Sequence, residues 1–105
     1  MASRLGQPHA LAMAAYMHIH VVVSDPTRYG RYQELAGPTL KAHGARLLSK
    51  TPNPESLEGE AQPGTVVLLE FDDAAAAKRW YASPEYAEAI EARRDVATFT
   101  ATLLV

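Results

Sequence analysis

The stretch Tyr16 to Val23, Tyr-Met-His-Ile-His-Val-Val-Val, constrains this chain more than any other, because the side chains of an extended strand alternate between two faces. One face takes Met17, Ile19, Val21 and Val23, and the other takes Tyr16, His18, His20 and Val22. A strand that is apolar on one side and carries two imidazoles on the other fits a sheet with helices over one face and a polar cavity or water over the other.

The next segments support that arrangement. Ser24-Asp25-Pro26 opens a helix, with Asp25 as cap and Pro26 at the first helical position, where its missing amide removes no bond. Tyr29, Tyr32, Leu35 and Ala36 form the stripe that covers the apolar sheet face. Gly37-Pro38 is expected to kink or restart the helix, and Gly44 to end it in a left-handed turn. Ala45 to Lys50 reads as a short strand with Arg46, Leu48 and Lys50 on one face. Thr51 to Gly64 reads as a long loop, a candidate lid or dimer arm with a short extra edge strand near Leu57.

Thr65 to Phe71 is a mostly apolar run suited to a central strand, with Glu70 on the face of Val66 and Leu68. Asp72-Asp73 caps a helix carrying Trp80 and Tyr81, and Ser83-Pro84-Glu85 ends it and starts another with Tyr86, Ile90 and Arg93 on one stripe. Val96 to Val105 alternates again, with Phe99, Ala101 and Leu103 opposed to Thr98, Thr100 and Thr102. The order β-α-β-β-α-β predicts an α+β, ferredoxin-like fold: a four-stranded antiparallel sheet with its helices on one face.

Composition narrows the function classes. The chain has 105 residues, enough for one domain with its own core; residues 1–12 lack periodicity and an apolar leader segment and read as a flexible extension, with Met13 as a natural start and 13–105 as the domain. No apolar run approaches a membrane span, and a formal charge of −2 with dispersed Lys and Arg argues against a nucleic-acid partner. Zero cysteines exclude disulfides, thiol catalysis and thiolate metal sites, which suits a cytoplasmic location. Neither Gly-rich phosphate motif is present, so a nucleotide-binding reading lacks support; no cofactor is expected.

Several residues carry a family resemblance: Val23-Ser24-Asp25-Pro26, Tyr29, Tyr32, Pro38, Gly44, Leu57-Glu58-Gly59 and Glu70-Phe71. The most specific are Trp80-Tyr81-x-Ser83-Pro84-Glu85-Tyr86 and the later Arg93. From about Met13 to Val105 the chain resembles domain-of-unknown-function family 1330, within the dimeric α+β barrel superfamily. The resemblance implies a homodimer whose two sheets face each other around a cavity. Relatives in that superfamily include cofactor-free monooxygenases, muconolactone-isomerase-like enzymes and proteins with no demonstrated activity. The family has no established reaction, so it lends no catalytic residues.

The candidate chemistry comes from the residues themselves. In ferredoxin-like order the first and third strands are central neighbours, so His18 or His20 is expected near Glu70 as a proton-transfer pair of the oxygenase or isomerase type. Arg46 or Arg93 is expected to bind an anionic group on a small organic ligand, with Tyr32 or Tyr86 hydrogen-bonding it. The alternative is a non-catalytic homodimeric module in which these polar groups satisfy each other across the interface. His-x-His plus one carboxylate is too common a pattern to assign a metal, and none is assigned.

Overall fold

Strand β1 (Ala15–Val23) alternates in space as its sequence does: Ala15, Met17, Ile19 and Val21 are buried, and the residues between them are half-buried. The computed structural model describes residues 14–105; the extension expected over residues 1–12, and Met13, lie outside the described residues. After β1, Asp25 accepts a hydrogen bond from the Arg28 amide at 3.2 Å, and Pro26 begins helix α1 (Pro26–Ala42). The helix does not restart at Gly37-Pro38 but runs through it as one element. Pro38 and Glu34 are both exposed, so the carbonyl that loses its helical partner faces water. Gly44, at φ +72°, then supplies the expected left-handed turn.

Strand β2 (Arg46–Pro52) departs from simple alternation. Arg46 lies opposite Glu70 and Leu47 opposite Leu69 on β3 (Thr65–Phe71), but the next pairs are Ser49 with Leu68 and Lys50 with Val67. Leu48 is thus the extra residue of a β-bulge. Arg46, Ser49 and Thr51 share one face, and Lys50 moves to the other with Leu47; the expected grouping of Arg46, Leu48 and Lys50 does not form. Between β2 and β3 the loop closes through a 2.7 Å bond from the Asn53 amide to the Gly64 carbonyl. No extra strand forms near Leu57, whose side chain is 92% exposed.

Asp73 caps α2 (Ala74–Tyr81) through a 2.8 Å bond from the Ala76 amide, and Ser83 caps α3 (Pro84–Ala92) through the Tyr86 amide at 3.2 Å. Strand β4 (Ala97–Leu104) follows. The sheet order is β2-β3-β1-β4 with every pair antiparallel, an open four-stranded sheet of ferredoxin-like topology.

The core sits on the face of Met17, Ile19, Val21, Leu69 and Phe71, where the helices contribute Tyr32, Ala36, Ala77, Trp80, Tyr86 and Ala89. Trp80 anchors it: its ring centroid is 4.2 Å from Tyr86 and 5.6 Å from Phe71, and its indole N–H donates to Thr39 Oγ1 at 3.0 Å. Burying each such aromatic contributes roughly 2 kcal/mol or more, and the satisfied indole avoids the penalty of a buried orphan donor. Among the described residues no helix is long and apolar enough to cross a membrane.

Candidate functional site

Among the described residues, the opposite face of the sheet carries no helix. Register places His18 between Leu68 and Thr102, His20 between Val66 and Thr100, and Tyr16 between Glu70 and Leu104. Glu70 is therefore one residue pair along from His18, but its carboxylate is engaged elsewhere. It accepts from Arg46 Nε at 2.8 Å, and Arg46 Nη1 donates to Asp72 at 3.1 Å. These bonds, first that to Glu70 and then that to Asp72, push the Arg46 pKa further up. Among the described residues neither His18 nor His20 forms an ion pair with Glu70.

His20 is tied to the loop instead. Its Nε2 lies 2.6 Å from the Pro63 carbonyl, which can only accept, so Nε2 carries the proton. With His18, Thr100 and Thr102 it lines a cavity of about 490 Å³ whose other wall includes Glu55 and Glu60 of the loop. Among the described residues no three His, Asp or Glu side chains group as metal ligands.

The remaining candidates meet on the helix side. The Tyr32 and Tyr86 hydroxyls are 2.7 Å apart, joining α1 to α3. Arg93 lays its guanidinium 3.8 Å from the Phe99 ring centroid and 5.8 Å from that of Tyr32. Its Nε is buried and, among the described residues, has no hydrogen-bond partner. Burial pushes the Tyr32 phenol well above its ordinary range, with the neighbouring Tyr86 adding to it. Burial likewise raises Tyr86, opposed by its bond to Tyr32 and by the charge of Arg93. Each phenol can donate to or accept from the other in this bond.

The seven residues singled out from sequence thus divide in two, four on the open face and three beneath the helices, with the sheet between them. The division follows from the helix stripes: Tyr32 and Tyr86 lie on the faces that α1 and α3 bury against Met17, Ile19 and Val21.

Between α1 and the sheet lies an apolar cleft of about 180 Å³. Ile19, Val21 and Val67 form its floor, Tyr29, Tyr32, Phe99 and Trp80 give it aromatic walls, and Lys50 and Gln33 are among its few polar lining residues. Tyr86 and Arg93 stand behind this lining, in contact with Tyr32 and Phe99 rather than with the cleft itself. Sequence reasoning missed the cleft. Its aromatic walls were legible as helix-side residues, but Lys50 reaches it only through the bulge.

Residues 14–105 match the family model Domain of unknown function (DUF1330). Solved structures share the fold, three of them as follows. A DABB-family protein with a ferredoxin-like fold from Mesorhizobium loti is 16% identical, with a TM-score of 0.63 over 89% of this chain and 96% of that one. SnoaB, a cofactor-independent oxygenase from Streptomyces nogalater, is 15% identical, with a TM-score of 0.62 over 89% of this chain and 92% of that one. A dimeric protein of unknown function with a ferredoxin-like fold from Bacteroides fragilis is 11% identical, with a TM-score of 0.57 over 86% of this chain and 93% of that one. At these identities the likeness is one of fold. No curated protein matches the chain.

Proposed function

This chain belongs to the DUF1330 family, and we propose that it acts as a homodimer that holds a small organic molecule in the cleft between α1 and the sheet. The carrying observation is the cleft: a concave, largely apolar cavity with aromatic walls and a few polar groups, the usual build of a small-molecule site. Tyr32 is in its wall beside Tyr29, fixed by Tyr86 and flanked by Arg93, so Tyr86 and Arg93 act as positioning residues for a phenol that meets the ligand. Dimerisation takes the open face, where half-exposed Val66 and Leu68 lie among His18, His20 and the β4 threonines. The dimeric Bacteroides fragilis protein of this fold supports a homodimer.

A second reading, acid–base catalysis of the cofactor-independent oxygenase or isomerase type, is favoured by one observation: His18 and His20 line the open-face cavity together with Glu55 and Glu60. In this reading His18 or His20 takes the proton. Glu70 stays paired with Arg46, so the orienting carboxylate comes from the loop.

Native mass spectrometry of gently purified protein tests the first reading. A dimer carrying an organic mass supports it. A monomer at micromolar concentration overturns the dimer, and a bare dimer that binds no aromatic probe near Trp80 leaves a non-catalytic module. Substituting His18→Asn and His20→Asn separately decides the second reading, which falls if turnover of an identified substrate is unchanged in both.

A further inference from the structure

We infer that Lys50 binds the anionic head of the molecule held in the cleft, so that the ligand class is an organic acid with a compact apolar body. This rests on the proposed cleft site and names its ligand.

The bulge in β2 decides which face Lys50 takes. Strict alternation from Arg46, which lies opposite Glu70, would put Lys50 on the open face opposite Val66. The extra residue at Leu48 instead sets Lys50 opposite Val67, while Ser49 and Thr51 turn to the open face, their hydroxyls 2.9 Å apart. Bulges re-aim side chains in this way, and here the re-aimed group is a cation.

Its new surroundings are apolar. Lys50 ends a cross-strand row that continues through Val67 and Ile19 to Ala101, and Val67 and Ile19 are cleft floor. Among the described residues it is the one charged side chain in the cleft lining, and it makes no ion pair. A lysine so placed lays its aliphatic stem along apolar surface and keeps its ammonium at the wet mouth. Gln33, also in the lining, adds an amide whose N–H groups can donate to the same oxygen. A neutral apolar ligand would leave the ammonium solvated as before, whereas a carboxylate gains a charge-assisted contact there while its ring occupies the aromatic interior.

The test uses naphthoate and naphthamide, which share a ring system and nearly a shape but differ in charge. Each is titrated into the full chain at low salt by calorimetry and by the fluorescence of Trp80, the single tryptophan, which lines the cleft. Naphthoate is expected to bind roughly tenfold more tightly, with a preference that shrinks as salt screens the exposed ammonium. Lys50→Met should abolish the preference by weakening naphthoate binding, whereas Lys50→Arg should retain it. Equal affinities in the unaltered protein, or a preference that survives Lys50→Met, overturn the role of Lys50 and leave the cleft standing. If neither compound binds or perturbs Trp80, the cleft reading falls and the role of Lys50 falls with it.

Discussion

The Tyr32 and Tyr86 hydroxyls meet at 2.7 Å between two side chains that are both buried, so α1 and α3 are joined by a polar contact with no recourse to water. Removing either hydroxyl strands the other. Tyr32→Phe and Tyr86→Phe are each expected to cost about 1–3 kcal/mol, the penalty for an unsatisfied buried hydroxyl. The double variant loses both polar groups together and should cost clearly less than the sum. A double-mutant cycle by urea unfolding measures the difference, and additive costs would show that the two phenols do not support each other.

The same pair makes the fold sensitive to alkali. Burial raises both phenols above their ordinary value near 10. A group whose folded pKa is raised contributes stability in full below its unfolded pKa and loses it as pH climbs toward the folded value. Above about pH 10 each buried phenol should therefore remove about 1.4 kcal/mol of stability per pH unit. Phenolate absorbance from these two residues should appear together with loss of the far-ultraviolet dichroism of the helices. Their titration in a protein that is still folded would contradict the burial argument.

How much of the fold and of the site is legible in the sequence depends on the physical rule each feature obeys. The two-residue period from Met17 to Val21 is enforced by chain geometry and reappears as a buried face. The caps at Asp25, Asp73 and Ser83 follow from local hydrogen bonding and form as read. Simple alternation misplaces Lys50 because a bulge is set by how two strands pair, and nothing within Arg46 to Lys50 announces it. Pro38 stays inside α1 because the exposure of its partner carbonyl depends on tertiary placement. Chemical type alone groups Arg93, Tyr32 and Tyr86 with the histidines, although their helical stripes already point to the other side of the sheet.

Gly64 is required by its position. It adopts φ +97° at the foot of β3, and a Cβ there would overlap the Val21 carbonyl oxygen. Both the left-handed backbone and the overlap oppose any side chain, so Gly64→Ala should cost at least about 2 kcal/mol. In a domain of this size that lowers Tm by roughly 10 °C or more, which thermal unfolding by circular dichroism would register. Gly59 is also at positive φ but has nothing within reach of a Cβ, so Gly59→Ala should cost only the backbone part. Equal losses at the two positions would remove the steric contribution assigned to Val21.

Arg93 sets opposing effects against one another. Its stacking on Phe99 is worth about 0.5–2 kcal/mol, and its place at the C-cap of α3 adds about 0.3–1 kcal/mol through the helix dipole. Against these stands a buried Nε with no partner among the described residues, a penalty of about 1–3 kcal/mol. Arg93→Met keeps the stem, gives Phe99 a thioether neighbour and removes the orphan donor, so its stability should fall within about 1 kcal/mol of the unaltered protein. Arg93→Lys keeps the charge but loses the planar stack, and a compact ammonium is harder to desolvate there than a guanidinium, so it should cost more, about 2 kcal/mol. Urea unfolding of the two variants orders them. Lysine as stable as methionine would mean that neither the stacked plane nor the orphan nitrogen governs this position, and Arg93 would then be a surface cation that lies over Phe99 without consequence.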